Sequence, residues 1–132
     1  MLGALYATRA ATRHMLGCGS GDIVFVSSAA GRRVPHGPGA VYAATKHAIT
    51  AIAEGLRMDL YDKGVRVTNV EPGLVRTEFP ESFYDSANEY YAGKEYAPLE
   101  AGDIAAAVLH AIGQPPRVSI NEILVRPTQQ PN

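Results

Sequence analysis

Tyr42 and Lys46 lie four residues apart, one turn of a helix, so both side chains project from the same helix face. A tyrosine titrates near pH ~10 in water, and a cation held beside it favours the phenolate. Ser28 lies 14 residues earlier, in a run of the form apolar-apolar-apolar-apolar-Ser-Ser that suits the end of a strand. A serine hydroxyl brought next to that phenol would hydrogen-bond a substrate oxygen and hold it for proton exchange. Residues of these types at this spacing point to acid–base chemistry on an alcohol or carbonyl oxygen.

Three stretches give the pattern its context: Gly21-Asp22-Ile23-Val24-Phe25-Val26-Ser27-Ser28-Ala29-Ala30-Gly31, then Tyr42-x-x-x-Lys46, then Glu71-Pro72-Gly73-Leu74-Val75-Arg76-Thr77. Together they resemble the short-chain dehydrogenase/reductase family, in register from Met1 to about Gln130. The resemblance implies an oxidoreductase that moves a hydride between NAD(P) and an alcohol/carbonyl pair, with Ser28, Tyr42 and Lys46 as catalytic residues. It assigns Lys46, with Tyr42, a further role in holding the nicotinamide ribose. Pro72, Gly73, Val75 and Thr77 match the segment that contacts the nicotinamide half of the cofactor, with backbone groups around Val75 on the carboxamide and a hydroxyl contact from Thr77. Ser28 is chosen because it stands three residues before Gly31, as in the family. The interval to Tyr42 is one residue longer than usual, and Pro35 to Gly39 is the loop expected to absorb it. Counting back from Tyr42 lands on Ala29, which has no hydroxyl, and Ser27 is the alternative.

The family opens with a strand, a glycine-rich turn and a helix whose N-terminus cradles the pyrophosphate. No such unit occurs in these 132 residues. The expectation is therefore a single partial domain spanning 1–132: an α/β, Rossmann-like, doubly wound parallel sheet, truncated, with the dinucleotide-binding strands absent. The residue that would separate NAD from NADP is missing with them. Residues 121–130 resemble a branch whose members often use NADP and act on hydroxy acids and small carbonyls, which slightly favours NADP.

Those residues need elements to position them. Residues 1–16 read as a helix with Leu2, Leu5, Tyr6, Ala10 and Met15 near one face, and Gly17 as its stop. Ile23–Val26 is a short apolar run of the kind a parallel strand shows when both faces are covered. Residues 31–39 read as a loop, about 41–63 as a helix ended by Gly64, and Val65–Val70 as a second strand broken by Pro72-Gly73. A helix over 100–113 and a third strand over Val118–Val125 complete an alternation that predicts an α/β layer. The three strands should lie together and leave the strand at 22–27 with an open edge.

Between Glu78 and Tyr96 stand Phe79, Phe83, Tyr84, Tyr90, Tyr91 and Tyr96, where the family places a substrate lid. Such residues build an apolar pocket with polar rims, and they equally suit a subunit contact. Five acids against Lys94 argue mildly against a highly anionic substrate. His36, His47 and the Arg32-Arg33 pair read as surface or loop residues.

Composition narrows the class further. The chain is 46% hydrophobic, and its 12 Lys+Arg against 13 Asp+Glu give no basic surplus for nucleic acid. No apolar run approaches the ~20 residues of a membrane span, and the N-terminus lacks a signal-peptide pattern. Cys18 is the only cysteine, which points to a reducing cytoplasm, and no His/Cys/Asp cluster has metal spacing. The partners expected are a small alcohol or carbonyl substrate and a second copy, in a homodimer or homotetramer built through helices 1–16 and 41–63 as in the family. The rival reading is a catalytically inactive fragment that serves only as an oligomerisation or interaction module.

Overall fold

The computed structural model describes residues 1–34, 39–78 and 94–131. Helix α1 (Leu2–Cys18) leads to strand β1 (Gly21–Val26) and a 3₁₀ turn (Ala29–Gly31). Helix α2 (Ala40–Leu60), strand β2 (Val65–Pro72), helix α3 (Ala101–Ile112) and strand β3 (Glu122–Val125) follow. The strands form one parallel sheet in the order β1-β2-β3, a Rossmann-like arrangement in which Gly21 pairs with Val65 and Asn69 with Glu122. Among the described residues β1 pairs on one side only, as the sequence implied.

β2 is central and buried along nearly its whole length. Alternate residues face opposite sides of a strand, so Val65, Val67, Asn69 and Glu71 share one face. The lower half of that face is apolar: Val65 and Val67 meet Ile23 and Phe25 of β1 and Ala53 and Leu60 of α2 in the core cluster. Its upper half is polar, with Asn69 and Glu71 buried against Thr50 of α2. The change from apolar to polar occurs at the end of the sheet that carries Ser28.

Element boundaries depart from expectation in four places. α1 runs through Gly17 and ends at Gly19, whose φ of 70° supplies the left-handed cap. α2 stops at Leu60, and Gly64, at φ 71°, turns the chain into β2. β3 is shorter than the apolar run 118–125. The Arg66 guanidinium, held by Asp22 at 2.7 Å, takes the carbonyls of Ile112, Gln114 and Val118, each at 2.9 Å. That fan of bonds holds the chain before β3 by a side chain instead of a ladder. β2 extends to Pro72, since the bond at that register comes from the Gly73 amide to the Val125 carbonyl at 2.7 Å. Proline therefore removes no rung there.

Candidate active site

Tyr42 lies in the first turn of α2 and Lys46 one turn on. The ammonium of Lys46 stands 5.7 Å from the centroid of the Tyr42 ring, within cation–π range. Its Nζ also donates to the Val26 carbonyl at 3.2 Å, which ties α2 to the end of β1 two residues before Ser28. Partial burial lowers the Lys46 pKa from its ordinary value, because desolvation penalises the ammonium.

Ser27 and Ser28 have separate tasks. The Ser27 hydroxyl is buried, donates to the Lys46 carbonyl at 3.1 Å and shares a hydrogen bond with Thr50 at 3.2 Å. These contacts commit it to packing β1 on α2. Ser28 is half-buried and caps the 3₁₀ turn, its Oγ accepting from the Ala30 amide at 3.1 Å and donating to the Pro72 carbonyl at a long 3.5 Å. Its hydroxyl thus meets the segment from Pro72 to Thr77 directly.

That segment leaves the sheet as a ribbon bonded to the chain before α3. The Leu99 amide donates to the Leu74 carbonyl at 2.9 Å and the Arg76 amide to the Leu99 carbonyl at 2.7 Å. The bridge between Val75 and Leu99 therefore draws on the neighbours of Val75. Gly73 has an internal reason to be glycine: a Cβ there would collide with Gln130 Oε1 and lie 2.9 Å from Arg126 Cγ. Gln130 Oε1 also accepts from the Leu74 amide at 2.9 Å, so the C-terminal segment braces the ribbon. Thr77 is exposed at its far end. Of the aromatic stretch expected as a lid, Phe79, Phe83, Tyr84, Tyr90 and Tyr91 lie outside the described residues. His36 and most of the Pro35–Gly39 loop do as well. His47 is exposed, its ring on the Ala43 carbonyl at 2.8 Å.

A group of polar residues beneath the site was not singled out by motif. Glu71 is 0% exposed and accepts from Asn69 Nδ2 at 3.0 Å and from Thr50 Oγ1 at 3.4 Å. Arg32 pairs with Glu71 through Nε and with Glu122 of β3 through its terminal nitrogen. The hydrogen bond to Glu71 is the chief cause of a raised Arg32 pKa. Arg32 and Arg33 are both exposed, as expected, but Arg32 carries these two ion pairs as well. The available sequence signal was two polar residues, Asn69 and Glu71, on one face of a strand otherwise rich in valine. Among the described residues no three His, Cys, Asp or Glu side chains come together as a metal site would require.

The sequence profile of the family described as short chain dehydrogenase matches residues 1–88. The chain belongs to the short-chain dehydrogenase/reductase family. Among curated family relatives, a farnesol dehydrogenase of Aedes aegypti is 40% identical over 111 residues, covering 81% of this chain and 42% of that protein. An uncharacterized oxidoreductase of Staphylococcus aureus (strain MRSA252) is 38% identical over 125 residues, 95% of this chain and 50% of that one. Among solved structures, the closed form of a serine dehydrogenase complexed with NADP+ superimposes with a TM-score of 0.88 at 34% identity. That match covers 98% of this chain and 53% of that one. A serine dehydrogenase from Escherichia coli gives a TM-score of 0.78 at 32% identity, over 98% of this chain and 50% of that one. The chain thus spans about half the length of the family members it matches.

Proposed function

We propose that this chain carries the proton-transferring part of a nicotinamide-dependent oxidoreductase site acting on an alcohol/carbonyl pair. The observation that carries this reading is the Lys46 ammonium over the Tyr42 ring, anchored at the strand end that presents Ser28. Ser28 holds the substrate oxygen by a hydrogen bond, its one O–H turning from the long Pro72 contact to do so. Tyr42 gives that oxygen its proton in reduction and takes the alcohol proton in oxidation. The Lys46 cation stabilises the negative charge left on the tyrosine oxygen. The nicotinamide, when bound, supplies or accepts the hydride at the carbon bearing that oxygen.

The residues present suit the nicotinamide half of such a cofactor. One of the three Lys46 N–H donors goes to the Val26 carbonyl, so the ammonium can also serve ribose hydroxyls. Tyr42, Pro72, Gly73, Val75 and Thr77 complete the proposed cofactor contacts. The dinucleotide is NADP or NAD, with NADP slightly favoured. The NADP+ complex of the serine dehydrogenase and the alcohol-directed name of the farnesol dehydrogenase support the chemical class.

The test is carbonyl-dependent oxidation of NADPH and NADH by the purified chain, compared with Tyr42→Phe. Removing the acid–base group is expected to lower turnover by about 10²–10⁴-fold. Equal rates in the two proteins would overturn the assignment. The second reading, an interaction module, draws on α1, in which no residue is buried and Leu2 and Tyr6 are 65% and 69% exposed. A chain that binds no dinucleotide yet forms dimers would decide for that reading.

A further inference from the structure

Ser28 sits on a three-residue turn, a short element with few bonds of its own. Something must fix its distance from Tyr42 and Lys46. At its start the turn reaches the Pro72 carbonyl through Ser28 Oγ. At its end Arg32, whose amide donates to the Ala29 carbonyl at 3.1 Å, places its guanidinium on the carboxylate of Glu71. The two anchors are consecutive residues of β2. In the middle Gly31 presses on α2: a Cβ there would lie 2.8 Å from Ser27 Oγ and Thr50 Oγ1 and 3.0 Å from the Lys46 carbonyl. The same Lys46 carbonyl accepts from Ser27, and the single Thr50 hydroxyl proton is within reach of both that carbonyl, at 3.2 Å, and Glu71, at 3.4 Å. One connected network thus runs from the turn through a buried carboxylate to the backbone of Lys46.

We propose that Arg32 and Glu71 are positioning residues that clamp the Ser28 turn against β2 and α2 and so set the Ser28–Tyr42 geometry. Its bearing on turnover rests on the oxidoreductase reading; the clamp itself does not. Glu71 is fitted to the task because its carboxylate is wholly enclosed, with Asn69 and Thr50 fixing one oxygen and Arg32 the other. The second arm of Arg32, on Glu122, extends the clamp to β3. A lysine at position 32 keeps the charge but cannot span both carboxylates with a planar fork.

The test compares Arg32→Lys and Glu71→Gln with the natural chain by amide hydrogen exchange. The amides of Ala30, Gly31 and Arg32 are bonded within the turn and report on it. Their exchange is expected to rise at least tenfold while Val67 and Thr68 in β2 keep their protection. Unchanged exchange at the turn overturns the proposal, and so does an equal rise throughout the chain, which signals general destabilisation. Arg32 is at the surface, so Arg32→Lys remains informative if Glu71→Gln fails to fold. Where the chain turns over substrate, Arg32→Lys should lower kcat by about tenfold and leave KM for the dinucleotide unchanged. In a Ser28→Ala background it should then add no further loss. A full additive loss in that background overturns the route through Ser28. Absence of all turnover tells against the oxidoreductase reading and leaves hydrogen exchange to decide the clamp.

Discussion

Lys46 is under two opposed demands. Packing against β1 desolvates its ammonium and lowers its pKa, yet its place over the Tyr42 ring calls for the charged form. The cation is present below the lowered pKa and is lost as pH rises through it. The alkaline limb of kcat/KM should therefore fall below the ordinary lysine value of about 10.4. A pH profile over the alkaline range checks this, and a limb at or above that value would show that Lys46 charge does not limit the rate. That Tyr42 and Lys46 lie together on one helix face was legible from their spacing, because a helix fixes which side chains share a face. Ser28 was chosen over Ser27 on its spacing to Gly31, and the contacts that tie Ser27 to α2 could be seen only in the fold. Arg32 and Glu71 were not legible: 39 residues separate them, and only the sheet brings them together.

At the scale of elements, the alternation of helices and strands was readable because apolar runs and glycines mark where each begins and ends. The end of α1 was misplaced because Gly17 and Gly19 are indistinguishable as stops until one adopts a positive φ. β3 came out short because a long-range guanidinium, Arg66, does what a ladder was expected to do. Gly31 shows the same dependence on packing. It has no unusual backbone angle, and its smallness matters because Ser27, Thr50 and Lys46 crowd it. Gly31→Ala should destabilise the chain by about 1–3 kcal/mol, the usual range for overpacking. Urea unfolding measures this directly, and an unchanged midpoint would mean that the turn can back away from α2.

At the scale of the whole molecule, the described residues expose two surfaces of different kinds. One is the open edge of β1, bordered by a groove of about 520 Å³ lined by Ala4, Ala7 and Ala11 of α1 and by Val24, Val26 and Lys46. The other is the outward face of α1, with Leu2 and Tyr6. Unpaired strand edges and exposed apolar residues both promote association. Sedimentation of the purified chain should show self-association. Val26→Lys should weaken it if the edge is responsible, and Tyr6→Glu if the helix face is. Loss in neither variant would place the contact elsewhere. Val26 is 54% exposed, so its replacement tests the edge without opening the core.

The split face of β2 has one more consequence. With apolar Val65 and Val67 below and polar Asn69 and Glu71 above, that face is asymmetric along its length. A slip of β2 by one position would turn Glu71 toward the opposite side of the sheet, away from Arg32, Thr50 and Asn69's present surroundings. A run of valines alone would tolerate such a slip, because either face is apolar. An enclosed carboxylate without its cation would not, since an enclosed charge with no partner is costly. The charge beneath the site thus acts as an address for the strand, telling one alignment of the sheet from its neighbours.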